Sequence, residues 1–191
     1  MKKFFTKRNS SLTAVTLILS IVCVMMVGCD VSNEVSYEIA VKEVLPGVDL
    51  NTGKEIPVDG DKYPESVIKI TEYDNGYAIE TEVVGKRDMK VLVGIGKDGA
   101  VTGVYITKNK ETPKHFSKVE PHLIGKDGKY SGMTSDSLKA EIISGATLSS
   151  KGIYNAVKAS LEAYEALCAD GVAENVENFF NETLYAVNEL I

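Results

Sequence analysis

Four short segments in the middle of the chain are rich in apolar and β-branched residues and are separated by polar turn residues. The segments are Val67–Glu72, Tyr77–Val83, Met89–Ile95 and Val101–Thr107. The first two flank Asp74-Asn75-Gly76, and the second two flank Lys97-Asp98-Gly99. Such spacing is typical of hairpins, and Asn-Gly favours a type I′ turn. The pattern therefore predicts a four-stranded, twisted, mainly antiparallel sheet.

Apolar residues at three- and four-residue spacing predict helices before and after the strands in the chain, packed against the sheet. The first helix runs from about Tyr37 to Leu45, and Pro46-Gly47 ends it. The second runs from about Ser150 to Cys168 and the third from about Val172 to Leu190. Cys168 falls on the apolar face of its helix, which predicts a small buried side chain. Helices packed on an antiparallel sheet give an α+β fold.

Two longer stretches read as loops. Residues 48–64 are rich in Gly and Pro, and residues 108–136 are polar, with a length that is typical of functional loops. Gly94-Ile95-Gly96-Lys97-Asp98-Gly99 has the letters of a dinucleotide fingerprint. That fingerprint requires a helix after its glycines, whereas a β-rich run follows here. We interpret these glycines as a strand and its turn.

The stretch before the second helix has the properties of an anion site. Ser149 and Ser150 are of the residue types that cap helices, and Gly145-Ala146 leaves the backbone uncovered. Free N–H groups and the helix dipole favour a phosphate at such a helix start. Thr147 adds a hydroxyl there. A capped loop without a ligand is the alternative interpretation.

Ser144-Gly145-Ala146-Thr147 resembles the Ser/Thr-Gly-Ala-Thr motif of the FMN-binding domain family. That family includes the G subunit of Rnf-type electron transport complexes and the C subunit of the sodium-pumping NADH:quinone reductase. The resemblance implies that Thr147 carries FMN through a phosphoester bond, installed by a flavin transferase. It implies cofactor-binding roles for the neighbouring residues Ser144, Gly145, Ala146, Leu148, Ser149 and Ser150. Glu141 stands where the family usually has Asp, which implies a role in recognition by the transferase.

Other runs extend the resemblance over about residues 36–167. They are Lys42-Glu43-Val44-Leu45-Pro46, Val91-Leu92-Val93-Gly94-Ile95 and Gly99-Ala100-Val101-Thr102-Gly103-Val104. Glu111-Thr112-Pro113 also matches the family, in a loop that lies near the flavin. Lys114-His115-Phe116 replaces the Gly-Leu-Gly that commonly follows. Phe116 is able to pack on the isoalloxazine ring, with Lys114 or His115 at its electron-rich end; a solvated loop with Phe116 in the core is the alternative.

The N-terminus has the pattern of an export signal. A basic segment to Arg8 precedes a 16-residue apolar run, Leu12 to Val27, which is shorter than the ~20 residues of a spanning helix. Met26-Val27-Gly28-Cys29 resembles a bacterial lipobox, which implies lipidation of Cys29; an uncleaved anchor helix is the alternative. We therefore expect residues 1–29 to be a signal or anchor, 30–35 a tether, and 36–191 the FMN-binding domain with a C-terminal helix. Both interpretations place the domain on the extracytoplasmic face of the membrane.

Charge excludes one class of function. The net charge is −6, and without the first 29 residues 17 basic residues stand against 27 acidic ones, a net charge of −10. Nucleic-acid binding depends on clustered Lys and Arg and is not expected. No catalytic triad or standard zinc spacing is present in the sequence, and His115, His122 and Cys168 fit no zinc pattern.

Three functions remain open at this point. The resemblance implies an electron-transfer flavoprotein with other membrane redox subunits as partners, as a component of an Rnf-type complex that is similar to its G subunit. A free-standing flavinylated lipoprotein for extracellular electron transfer is the second possibility. An anion-binding lipoprotein without a redox role is the third. Activity as an enzyme then depends on the complex and not on the isolated domain.

Overall fold

The structure, a computed structural model, describes residues 36–188, and the side chains of residues 36–169. The predicted signal or anchor, Cys29 and the tether lie outside the described residues. In chain order the elements are α1 (Tyr37–Val44), a 3₁₀ turn (Leu50–Thr52), β1 (Lys54–Ile56), β2 (Val67–Tyr73), β3 (Gly76–Val84), β4 (Asp88–Gly96), β5 (Val101–Asn109), α2 (Pro113–Leu123) and α3 (Thr147–Asn188).

The strands form one antiparallel sheet in the order β1-β2-β3-β4-β5, which confirms the α+β prediction. The four predicted strands are present, each slightly longer than expected. The first strand was not predicted and adds a fifth, in which Lys54 pairs with Glu72. This strand is three residues long and mostly exposed, so it carries no hydrophobic alternation that a sequence pattern detects.

The turn between β2 and β3 is a hairpin, as predicted, but it is not of type I′. Tyr73 pairs with Gly76, which leaves Asp74 and Asn75 as the loop. A type I′ turn requires positive φ at both loop residues, and neither residue has it. The Asn75 amide instead donates to Pro46 O at 3.1 Å, which ties the turn to the end of α1.

Helices cover both faces of the sheet. Helix α1 packs on β4 and β5, where Val41, Val44 and Leu92 form part of one buried cluster. Helices α2 and α3 lie over the other face, and α3 crosses β3 and β4 there. Strand β4 is therefore buried on both sides, which explains its continuous apolar sequence.

The two predicted C-terminal helices are one continuous helix, α3, which begins at Thr147 and ends at Asn188. The predicted apolar face is confirmed in its first half, where Ile153, Val157 and Leu161 are buried. Cys168 is exposed, so the prediction of a buried thiol was wrong. The face predicted from Val172 onward lies outside the described side chains.

Residues 108–136 are not an open loop, because α2 occupies the stretch from Pro113 to Leu123. Pro113 at the first helical position suits a helix start. The helix buries only Val119 and Leu123 and contains Pro121, so its periodic signal is weak. The Gly94–Gly99 stretch is a strand and a turn, with Gly99 at φ 80°, and no helix follows it.

The turn between β3 and β4 lies directly against the start of α3. A Cβ on Gly85 would meet Cε of Met89 at 2.5 Å, Oε1 of Glu111 at 2.7 Å and Cα of Ser149 at 3.1 Å. A Cβ on Gly152, on the helix, would likewise lie 3.1 Å from Cα and N of Gly85. The absence of side chains at Gly85 and Gly152 therefore allows the β3–β4 turn and α3 to pack backbone against backbone.

Gly85→Ala is expected to lower the free energy of unfolding by about 1–3 kcal/mol, because the added methyl group forces the helix and the turn apart. Urea denaturation measures the loss. Gly60→Ala is the matched control, since no atom lies within 4 Å of its Cβ position. Equal stability of the two variants would show that the turn and the helix are not in close contact.

Candidate cofactor site

The predicted motif forms a tight turn just before α3. Ala146 N donates to Ile143 O at 3.0 Å, and Gly145 has φ 77°, as the third residue of a type II turn requires. Ser144 and Gly145 are exposed, whereas Ala146 is 5% exposed and belongs to the main core. Ala146 anchors the loop in the core, and the positive φ of Gly145 allows the backbone to turn there.

Four residues of this stretch carry hydroxyl groups: Ser144, Thr147, Ser149 and Ser150. The hydroxyls of Ser149 and Ser150 are buried and form hydrogen bonds that hold the loop and the helix start in place. Ser150 Oγ accepts from Ile143 N at 3.1 Å and donates to Ala146 O at 2.9 Å. Ser149 Oγ donates to Glu111 Oε2 at 2.8 Å. Neither residue caps the helix as predicted, because α3 already begins at Thr147 and both lie inside its first turn.

The other two hydroxyl groups, on Ser144 and Thr147, are exposed and make no hydrogen bond within the described part of the chain. Leu148, which follows Thr147, is 54% exposed. The first turn of α3 therefore has a buried side that holds it in place and an open side that presents Thr147.

Glu111 connects the motif to the rest of the fold. It is 6% exposed, and its Oε1 accepts from Lys86 N at 2.6 Å and from Arg87 N at 2.8 Å. Its Oε2 accepts from Ser149. Three donors from two separate segments thus satisfy one buried carboxylate, which offsets the cost of removing it from water. The structure places Glu111 beneath the loop, where its oxygens are already occupied.

The start of α2 lies beside the motif. Thr112 precedes this helix, Pro113 begins it, and His115 Nδ1 lies 2.9 Å from Gly145 O. The stretches predicted to line one cleft are thus joined at two points, by His115 to Gly145 and by Glu111 to Ser149. Lys114 is exposed.

Two cavities flank this junction. One, of about 280 Å³, is lined by Lys86, His115, Gly145, Ala146, Thr147, Leu148 and Ser149. The other, of about 410 Å³, is a groove between β5 and α2. Phe116 is half-buried, contacts the core and lines that groove. Phe116 therefore contacts the core, as one interpretation expected, and also faces a cavity, as the other expected.

Sequence reasoning did not find Lys86. This residue lies in the turn between β3 and β4 and reaches the cavity only because that turn packs against α3. No motif marks it, so only the tertiary structure brings it to Thr147.

Glu141 lies before the motif and is half-buried. Its carboxylate is 3.7 Å from Lys129 Nζ, and its backbone N–H donates to the hydroxyl of Tyr130 at 3.3 Å. Tyr130 is fully buried, and this burial raises its pKa to about 12. The acid therefore belongs to a fixed segment that enters the motif, with a surface lysine as its partner.

Among the described residues, no group of three or more His, Cys, Asp or Glu side chains is placed to hold a metal ion. Within the same part of the chain, no helix combines the length and the apolar character that crossing a membrane requires.

Known proteins share this part of the sequence. Residues 85–162 match the model of the FMN-binding domain family, a range that holds the β3–β4 turn, Glu111, the motif and the first turns of α3. The resemblance to FMN-binding domain proteins that the motif predicts is therefore confirmed.

One relative is the G subunit of the Na(+)-translocating ferredoxin:NAD(+) oxidoreductase complex of Acetobacterium woodii. It is 31% identical to this chain over an alignment of 104 positions, and the alignment covers 48% of this chain and 50% of the relative. The chain thus spans about half the length of the curated relative it matches. The resemblance to the G subunit of an Rnf-type complex is confirmed over that half.

The residues around Thr147 fit a flavin phosphate. The cavity has an unbonded hydroxyl on Thr147 and a positively charged wall at Lys86. The backbone N–H groups of Thr147, Leu148 and Ser149 make no hydrogen bond within the described residues. An anion that carries acceptor oxygens satisfies both features.

Glu111→Ala is expected to lower the free energy of unfolding by about 2–3 kcal/mol, because it leaves the buried Ser149 hydroxyl and two part-buried backbone N–H groups without their acceptor. Glu111→Gln keeps an acceptor oxygen for Lys86 N and Arg87 N and is expected to cost less. Urea denaturation gives the energies, and hydrogen exchange at the Lys86 and Arg87 amides reports the local loss. Glu120→Ala, an exposed change on α2, is the control; equal losses in Glu111→Ala and Glu120→Ala would contradict the role assigned to Glu111.

Proposed function

We propose that this chain is a membrane-associated flavoprotein that carries FMN, covalently attached to Thr147, for electron transfer. The observation that carries the proposal is the state of the hydroxyl groups in the motif. Ser149 and Ser150 are buried and bonded, whereas Thr147 is exposed, unbonded and part of the cavity wall. Ser144 is exposed as well but is not part of that wall. Thr147 is the hydroxyl best placed for a phosphoester bond.

Attachment requires an activated FMN donor and the flavin transferase as a partner. In that transfer the O–H bond of Thr147 would break, with its proton passing to a base of the transferase, a new bond would join Thr147 Oγ1 to the phosphorus of the donor, and the bond from that phosphorus to the donor's leaving group would break. Ser144, Gly145 and Ala146 set the shape of the loop that the transferase meets, and Glu141 extends the recognised segment. Attached FMN then supplies redox chemistry, since it accepts electrons in pairs or singly.

The chain's own residues position the flavin. Thr147 is the first residue of a long helix whose next turns are buried against the sheet, so the attachment point is fixed on a rigid element. Leu148 presents an exposed apolar side chain next to it. Thr112 and Pro113 start the neighbouring helix and hold His115 against Gly145. The cofactor therefore lies at the surface, where a redox partner is able to approach it.

The relative from Acetobacterium woodii is named as a subunit of a complex, and this name suggests a first candidate for the cellular role. This candidate is a component of an Rnf-type complex that is similar to its G subunit, with other membrane redox subunits as partners and the domain on the extracytoplasmic face. The Met26-Val27-Gly28-Cys29 segment favours a second candidate, a free-standing flavinylated lipoprotein. An anion-binding lipoprotein without flavin is the remaining alternative, and the colour of the purified protein distinguishes it.

Co-expression with a flavin transferase is expected to give a protein that stays fluorescent in a denaturing gel, because only a covalent bond survives unfolding. Peptide mapping is expected to place the FMN on Thr147. Thr147→Ala removes the fluorescence, Thr147→Ser retains part of it, and Ser144→Ala is the control that keeps an exposed hydroxyl at Thr147. FMN mapped to Ser144, or fluorescence that persists in Thr147→Ala, would refute the assignment.

A second experiment concerns the membrane anchor. If Cys29 is lipidated, Cys29→Ala accumulates as a larger, unprocessed precursor, and labelled fatty acid appears only on the wild type. Gel mobility and autoradiography of membrane fractions measure both effects. Identical mobility, with no label on either protein, would favour the uncleaved anchor helix.

A further inference from the structure

Three basic side chains from two separate segments meet around the motif loop. Lys86 comes from the β3–β4 turn, and His115 and Lys118 come from α2. Lys86 and His115 line the cavity with Thr147. Lys118 Nζ lies 2.7 Å from the position that a Cβ on Gly145 would occupy, so it covers the glycine directly.

The two lysines have no anionic partner within the described residues. Neither Lys86 nor Lys118 takes part in an ion pair there, although five other lysines do. Glu111, which accepts from the Lys86 backbone N–H, is buried and already accepts three hydrogen bonds. The chain beyond its first 29 residues carries a net charge of −10. Unpaired cations gathered at one point of such an acidic protein favour an anion at that point.

The hydrogen bond of His115 fixes the orientation of its ring. Gly145 O is an acceptor only, so Nδ1 carries the proton in that bond. The same bond holds the Gly145 carbonyl, which keeps the turn before Thr147 in one orientation. His115 is therefore a positioning residue as well as part of the wall.

We propose that Lys86, His115 and Lys118 form the seat for the phosphate group of the flavin and make the domain select a phosphorylated flavin over riboflavin. The identity of the ligand rests on the proposed function. Lys86 lines the cavity with Thr147 and Lys118 lies over Gly145, so the two lysines neutralise the phosphate charge from two separate segments, while His115 fixes the loop through its bond to Gly145 O. Gly145 suits this arrangement because its φ of 77° favours glycine and because a Cβ there would displace the Lys118 ammonium group, which lies 2.7 Å from that position.

The test compares FMN with riboflavin, which differ only in the phosphate. The full chain is purified from a strain that lacks a flavin transferase, and the binding of each flavin is followed by fluorescence quenching. The wild type is expected to bind FMN more tightly than riboflavin. Lys86→Gln and Lys118→Gln are each expected to reduce that preference about tenfold, since each removes one charge-assisted contact, while riboflavin affinity stays constant.

Lys114→Gln is the matched control. It removes the same charge from the same helix as Lys118→Gln, at an exposed residue that neither lines the cavity nor supplies any of the three atoms nearest the Gly145 Cβ position, which all belong to Lys118. Thermal unfolding checks that all three variants keep the fold. Absence of an FMN preference in the wild type, including no measurable binding of either flavin, would overturn the proposal. Equal losses in Lys114→Gln and Lys118→Gln would overturn it as well.

The outcome is separable from that of the proposed function. A cation-dependent preference for FMN without covalent flavin on Thr147 after co-expression supports the phosphate seat and refutes covalent attachment. Covalent flavin on Thr147 together with no cation-dependent preference supports the proposed function and refutes the phosphate seat.

Discussion

The site depends on one buried carboxylate. Glu111 collects two backbone N–H groups from the β3–β4 turn and the hydroxyl of Ser149 from α3. Burying a charge is costly unless it is fully hydrogen-bonded, so each donor is needed to keep it there. Because the donors belong to different segments, the same requirement holds the turn, the strand end before α2 and the helix start together. The orientation of Thr147 follows from that junction.

Hydroxyl groups close together in the sequence have different roles because they differ in burial. Ser149 and Ser150 face the core, where an unpaired hydroxyl is unfavourable, and they bond to Glu111 and to the loop backbone. Thr147 faces solvent, where an unpaired hydroxyl costs nothing. The buried hydroxyls of Ser149 and Ser150 therefore hold the helix start in place, and the exposed hydroxyl of Thr147 remains available for a reaction.

The sequence pattern correctly predicted the elements that depend mainly on neighbouring residues in the chain. The two hairpins, α1 and the apolar face of α3 follow from the spacing of apolar residues, and the family motif identified the position of the site. The Asp74-Asn75-Gly76 turn shows the limit of such reasoning. A Cβ on Gly76 would lie 2.3 Å from Ile95 O, and Asn75 bonds to Pro46 O, so both residues serve contacts with distant segments and not a type I′ turn.

The parts that were not predicted depend on tertiary contacts or on weak local signals. Helix α2 is mostly polar and buries two side chains, so its sequence resembles that of a loop. Ser149 and Ser150 are residue types that commonly cap helices, yet both lie within α3. The Ser150 hydroxyl donates to the carbonyl of Ala146, the residue just before the helix. Lys86 and Lys118 carry no motif. Lys86 reaches Thr147, and Lys118 reaches Gly145, only after the sheet, α2 and α3 have packed together.

A covalent bond is consistent with the size of the cavity at Thr147. Its wall combines apolar surface with two basic side chains and the free backbone N–H groups of the helix start. Its volume of about 280 Å³ is below the ~300–1,000 Å³ of ordinary small-molecule pockets, so it is better matched to a phosphate than to a whole flavin. In the proposed function, the bond to Thr147 retains the cofactor without enclosing its ring. The ring then stays accessible for exchange of electrons with a partner, which a deeply buried flavin would not allow.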